Sequence, residues 1–291
     1  MASYSDVCLQ LNDFGLEIPR DLIIGRLQRC RYLNERKKSG WYILHSFNVR
    51  DNMYYVGSYG SWKSETQKIK HDGSTLTDEE NAILIEKSRQ AQIEAEKERQ
   101  AQHKISAEEC KNVYAMGTEA GYSPYLQRKQ VQALGDVRFY NDHLLIPIGK
   151  EGRLTSLQSI TPDGFKKYYP GGELSGCYAG IRGSEKMALC EGYSTGASIH
   201  MATGWSVCMA MMASNLVKVA PYLKGMDVVI CADNDLDTEK KIGKNPGILA
   251  AEKAAQYLGC EILVPNHKGG SDFNDVHCDL GMEELRRQLN V

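Results

Sequence analysis

Residues 226–235 read MDVVICADND, and this stretch decides the fold class. Val228-Val229-Ile230-Cys231 is a continuous apolar run, short enough for a strand and apolar on both faces. A strand covered on both faces belongs to a parallel sheet held between helices. Just beyond it, Asp233-Asn234-Asp235 puts two carboxylates at the carboxyl end of that strand, where ligands gather in such sheets. The flanking text repeats the pattern. Met187-Ala188-Leu189-Cys190, Val207-Cys208-Met209-Ala210 and Glu261-Ile262-Leu263-Val264 read as further strands. Helix-like stretches lie between and after them: one begins near Ser194, and others run Asn215 to Leu223, Gly247 to Leu258 behind Pro246, and Gly281 to Leu289. This alternation over residues 185–291 implies an α/β domain, a parallel sheet flanked by helices.

The carboxylates fall at strand ends. Glu191 follows the first strand, Asp233 and Asp235 the third, and Asp272 and Asp275 stand a few residues after the fourth. Three acidic elements on one sheet edge repel one another unless a divalent cation neutralises them. Hard oxygen ligands suit Mg2+ or Mn2+, held together with waters and substrate phosphates. One such carboxylate would be an ordinary turn or cap residue; the convergence of three favours a metal site of Glu191, Asp233, Asp235, Asp272 and Asp275. Gly192, Ser194, Thr195 and Gly196 open the helix after Glu191 and form a candidate phosphate-binding loop through their backbone N–H groups. Helix capping by Ser194 or Thr195 accounts for the same residues.

Outward from this domain the chain changes character. Residues 106–184 are mildly basic, with strand-like His143–Ile148 and Leu154–Ile160 joined by a turn at Lys150-Glu151-Gly152. Residues 77–105 read as a polar helical linker, with Thr77 and Glu80 as a capping box. Residues 1–76 form a small aromatic-rich N-terminal domain with candidate strands at Gly40–Phe47 and Met53–Trp62. A basic cluster of Arg26, Arg29, Arg31, Arg36, Lys37 and Lys38 precedes those strands. Cations beside exposed aromatics suit single-stranded nucleic acid, and Trp41, Tyr54 and Tyr59 are the stacking candidates. The competing account is that these rings fill the domain's own core.

Composition bounds the rest. The chain has 291 residues, a net charge of −2 and 42% hydrophobic residues, ordinary for a globular protein of about two domains. No apolar run approaches a membrane span, and the first residues show no signal peptide, so a cytoplasmic location is expected. The nine cysteines include no C-x-x-C pair. Reduced core thiols are expected, and no structural zinc.

The acidic elements, taken with their text, resemble the Toprim domain. CEGYSTGASI, ICADND, the Asn245-Pro246-Gly247 element and SDFND are similar to Toprim primases of phages and plasmids. YLQRKQV, HLLIPIGKEGRLTSLQSITPDGFKK and YPGG resemble the segment that precedes Toprim in them, so the similarity covers residues 106–280. It implies a DNA primase of a bacterial host's cytoplasm, joining nucleoside triphosphates into short RNA primers on a single-stranded DNA template. Asp233 and Asp235 would hold metal, and Glu191 would act as general acid or base. Lys129, Arg138, Lys166 and Lys167 would contact template or triphosphate. Relatives often carry a zinc ribbon and a fused helicase. Neither pattern occurs here, so a separate replicative helicase is expected. A Toprim nuclease and a non-catalytic single-strand-binding accessory are the alternatives; a topoisomerase would need a longer chain.

Overall fold

The computed structural model describes residues 2–33, 38–49, 52–61, 66–70 and 78–291. Thr77, Arg36, Lys37, Trp62 and the turn at Arg50-Asp51 lie outside them. The chain divides into two compact units, residues 1–98 and 99–291.

The first unit pairs helix α1 (Tyr4–Asp13) with an antiparallel sheet of β1 (Leu16–Glu17), β2 (Gln28–Tyr32), β3 (Gly40–Val49), β4 (Asn52–Ser61) and β5 (Thr66–Lys68), in that spatial order. Ser3 caps α1 reciprocally with Asp6, as the sequence Ser-x-x-Asp allows. Strand alternation sends Tyr42, Leu44 and Tyr59 inward, where they are buried with Val7 and Leu11 of α1. Trp41, Ile43, His45 and Phe47 alternate with them and belong to the other face, where Phe47 opposes Tyr54. The aromatics thus split between core and outer face.

Helix α2 (Asp78–Met116) is continuous past residue 105. Its last turns belong to the second unit, where Cys110 is fully buried and the Ser106 hydroxyl donates to the Pro170 carbonyl (3.1 Å). After α3 (Pro124–Arg128) come β6 (Arg138–Tyr140), β7 (His143–Lys150), β8 (Arg153–Ile160) and β9 (Lys166–Tyr168), an antiparallel meander.

The remaining strands build a second sheet: β10 (Ala179–Ile181), β11 (Ser184–Cys190), β12 (Trp205–Met209), β13 (Val228–Cys231) and β14 (Glu261–Leu263), ordered β10-β12-β11-β13-β14. The last four are parallel, as expected, and β10 adds an antiparallel edge on β12. Side chains alternate between two cores. Ala188, Cys190, Val207, Met209, Val229 and Cys231 face a core shared with the meander, α4 (Tyr193–Thr203), α8 (Phe273–Leu280) and α9 (Met282–Gln288). Leu189, Cys208, Val228 and Ile230 face α5 (Leu216–Val219) and α7 (Pro246–Leu258). The short helix α6 (Leu236–Ile242) follows β13 directly. The chain leaves β11 for β12 on one side, then crosses to β13 on the other. The crevice at that reversal is where a ligand can enter such a sheet. All nine cysteines are free thiols, and among the described residues no helix is long and apolar enough to cross a membrane.

Candidate active site

Glu191 leaves β11 and Asp233 leaves β13, so the strand reversal puts them on adjacent strand ends. Asp233 is the most constrained. Its Oδ1 is buried without a hydrogen-bond partner, and an isolated buried carboxylate is costly. Burial, followed by the neighbouring Glu191, Asp272 and Asp235 charges, pushes its carboxyl up to about 8. Glu191 is also raised, by burial and then by Asp235, against the stabilising backbone N–H of Ala213 and the Lys166 charge. Asp272 is raised by burial and by Asp275. The three carboxyls therefore share one electrostatic problem, with Lys166 easing the first two.

The loop carrying Asp233 and Asp235 is clamped by Asn245. Its Oδ1 accepts from the backbone N–H of Asp235 (3.2 Å) and Ile248 (3.3 Å), the latter capping α7. Its Nδ2 donates to Asn234 Oδ1 (3.0 Å) and Glu239 Oε2 (3.3 Å). Gly247 completes the fit: a Cβ there would stand 2.4 Å from the Asp233 carbonyl oxygen. The Asn234 N–H donates to the Ser271 carbonyl (2.7 Å), tying this loop to the third acidic element.

That third element is a helix start. Asp272 caps α8 by accepting from the Asp275 N–H (2.8 Å), while Asp275 accepts from the Ser271 N–H (2.9 Å). Asp275 also meets Lys129 Nζ at 3.3 Å. Burial opposes the Lys129 charge, yet Asp272 and Asp275 hold its pKa above the ordinary lysine value. Fully buried Asn274 donates to the Lys129 carbonyl (2.8 Å) and to Ser198 (2.9 Å), whose hydroxyl contacts His277 Nδ1 (3.0 Å). This network locks α8 and the Lys129 turn onto α4.

The four candidate cations part company. Lys129 and Lys166 face the carboxylates; Lys166 also stands over the Tyr125 ring (5.9 Å). Arg138 stacks on Tyr114 (4.4 Å) and pairs with Glu119 (3.9 Å), and Lys167 lies on the other face of the meander, opposite Ser159. In the Gly192–Gly196 loop no side chain caps α4, and Ser194 and Thr195 are buried. Gly196 serves packing, since a Cβ there would stand 2.7 Å from Met209. Asn245, Asn274 and Tyr168, whose hydroxyl donates to the Met211 carbonyl beside Glu191, carry roles that the sequence pattern leaves unassigned. Asn245 before Pro246 has the form of a helix start, the one signal available for it.

The donors here are hard oxygens, and the partnerless Asp233 oxygen marks where positive charge is missing. Among the described residues no three His, Cys, Asp or Glu side chains form a ready metal cage. Hard oxygen donors are the chemistry that Mg2+ takes, bound through one or two carboxylates with waters and substrate phosphate.

Residues 186–283 match the family model described as the Toprim domain. A DNA primase TraC of Escherichia coli is 29% identical over 227 residues, covering 72% of this chain and 15% of that protein. A second DNA primase TraC of Escherichia coli is 25% identical over 262 residues, covering 83% of this chain and 24% of its own length. The chain thus spans under a quarter of both curated relatives. The primase fragment of the bacteriophage T7 primase-helicase protein aligns with a TM-score of 0.40 and 16% identity, over 56% of this chain and 69% of that one. The zinc-binding and RNA polymerase domains of Aquifex aeolicus primase align with a TM-score of 0.40 and 15% identity, over 100% of this chain and 85% of that one. With its carboxylates at the strand reversal, the region from 186 to 283 is a Toprim domain, in a chain that resembles the Toprim DNA primases of mobile elements.

Proposed function

We propose that this chain is the catalytic part of a DNA primase, making RNA primers on single-stranded DNA for phage or plasmid replication by metal-dependent nucleotidyl transfer. The observation that carries the reading is Asp233: a buried, partnerless carboxylate oxygen at the strand reversal of a Toprim domain, among Glu191, Asp235 and Asp272. Asp233 and Asp235 would hold the cation, and Asp272 would add charge from the α8 cap. Bound Mg2+ or Mn2+ would supply positive charge that offsets the charge of phosphoryl transfer. Glu191 has a raised carboxyl suited to accepting a proton from the attacking 3′-hydroxyl. Lys166 faces the same carboxylates and attracts the triphosphate, while Lys129 is held by Asp275 at the rim.

The test is incubation of the chain with single-stranded DNA, labelled nucleoside triphosphates and Mg2+ or Mn2+, with products resolved by size. Metal-dependent products built from labelled nucleotides support the reading. Shortened template without incorporation would make the site a nuclease instead, with water as the nucleophile. Binding with neither outcome would make the chain a non-catalytic accessory.

A further inference from the structure

The turn that leads from β12 to α5 contains a strained residue in an unusual place. Among the described residues, the non-glycine positions in the left-handed backbone region are Leu33, Gln130, Asn141, Asp142, Glu151 and Asn290, all exposed, and Met211 (φ 68°), which is buried. A Cβ crowds the following carbonyl in that region, so such a residue persists only where its surroundings dictate it. Both backbone groups of Met211 are committed. Its N–H donates to the Glu191 carbonyl (2.8 Å), and its carbonyl accepts from the hydroxyl of Tyr168, at the end of β9. Two residues on, the Ala213 N–H opens a single 3-10 turn (Ala213–Asn215) and stabilises the Glu191 carboxylate. The turn therefore grips Glu191 by its backbone and by its side chain.

The ends of the turn and its middle are held differently. Buried Asn215 fixes the ends: its Nδ2 donates to the Ala210 carbonyl (2.9 Å) and the Cys177 carbonyl (2.8 Å), and its Oδ1 accepts from the Gly176 N–H (2.8 Å). Tyr168 reaches the middle from the meander. Its hydroxyl oxygen accepts from the side chain of buried Gln158, its cross-strand neighbour on β8. A phenol has one proton to donate, and the Met211 carbonyl takes it. A phosphate oxygen needs a donor, so this hydroxyl has none left for substrate. Its influence passes through the turn.

We infer that Tyr168 is a positioning residue for the reaction: its hydroxyl holds Met211 in the left-handed turn whose N–H groups aim Glu191. The inference rests on the primase reading in taking Glu191 as the proton acceptor, while the grip on the turn is tested separately from the reaction.

The experiment uses the full chain. Tyr168→Phe keeps the ring and deletes the hydroxyl. At saturating template and nucleotide its incorporation should fall about ten-fold, a part of what a general base contributes, with KM for both within about two-fold of the parent. Met211→Gly supplies the discriminating arm, because glycine takes a left-handed turn without steric cost. In that background Tyr168→Phe should cost less than about three-fold, a coupling that the double-mutant cycle reads directly. An equal cost in both backgrounds overturns the inference and makes Tyr168 a substrate contact. If Met211→Gly fails to fold, Met211→Asn replaces it, since asparagine also visits this region. Independently of activity, amide hydrogen exchange in peptides covering residues 210–215 should be faster in Tyr168→Phe than in the parent, with β13 peptides exchanging as before. Unchanged exchange in the turn also overturns the inference. Failure of the parent chain to incorporate nucleotides would sink the primase reading and leave the exchange readout standing.

Discussion

Lys166 and Lys167 are neighbours in the chain, yet they serve opposite faces of the four-stranded meander. Lys166 opposes Ile160 on the core side, stands by Tyr125 and eases the charge of Glu191 and Asp233. Lys167 opposes Ser159 on the outer side and lines a cleft of rings. The inner face looks onto the half-buried carboxylates Glu191 and Asp233 at the ends of the neighbouring sheet. The outer cleft has Lys167 in its lining and, among the described residues, no acid there. A period of two along one short strand therefore puts one lysine beside the carboxylates and its neighbour on the opposite face. Charge alone groups the two lysines; the pleat divides them.

The sharpest way to break this division is at Asp233. Asp233→Asn keeps side-chain size and removes the buried charge, so nucleotide incorporation should fall by at least ~100-fold, the scale set by losing one charge-stabilising group. Oligonucleotide binding, measured by fluorescence anisotropy, should change less than two-fold, because Asp233 is assigned to the cation and not to the template. A parallel collapse of both readouts would mean that the two faces are not separate. Asp235→Asn should behave alike. Glu191→Gln should lose incorporation yet retain metal binding in a calorimetric titration; loss of metal binding would make Glu191 a ligand instead of the proton acceptor.

The inner face also predicts a pH dependence in the absence of metal. The Asp233 carboxyl stands at about 8 in the folded chain against an ordinary 3.8. A folded value raised above the unfolded one favours the fold fully below the unfolded value. That contribution is lost as pH climbs through the folded value. Glu191 and Asp272 are shifted in the same direction. In EDTA the melting temperature should therefore drop by several degrees from pH 5 to pH 8. Mg2+ should restore more of it at pH 8 than at pH 5, and Asp233→Asn should flatten the EDTA curve. An equally steep curve in the variant would place the titrating groups elsewhere.

How far the molecule is legible from sequence depends on the element. The parallel strands announce themselves, because Val228–Cys231 and Met187–Cys190 are apolar on both faces and bounded by turn residues. Helix α8 does not, since its cap, Asp272, looks like a ligand in the same text and only eight residues follow it. Helix α6 is hidden for a different reason: LDTEKKI is polar and gives no apolar stripe to count. In the first unit, Trp41, Tyr54 and Tyr59 look equivalent as aromatic text. Register then puts Tyr59 opposite buried Tyr42 and leaves Trp41 and Tyr54 on the outer face. Asn274 is silent, and Asn245 shows only its helix-start form, because the rest of their work is done through hydrogen bonds to atoms distant in sequence or across a loop, which no local pattern encodes.

The smallest and most discriminating effect is expected from the adjacent lysines themselves. Lys167→Gln removes a cation from the outer cleft, so oligonucleotide affinity should weaken modestly. The salt slope should become shallower by about 0.7, the value for one phosphate left without its cation. Incorporation at saturating template should then recover, because extra template offsets weaker binding. Lys166→Gln removes the cation facing Glu191 and Asp233, so the salt slope for oligonucleotide binding should stay unchanged. Its defect should appear in nucleotide use, as slower incorporation that excess template does not rescue. Removing that charge also leaves Asp233 with less compensation, so the EDTA melting curve of Lys166→Gln should be steeper between pH 5 and pH 8, while that of Lys167→Gln follows the parent. If both variants shift the salt slope equally and both recover with template, the two lysines lie on one path, and the pleat does not divide their roles.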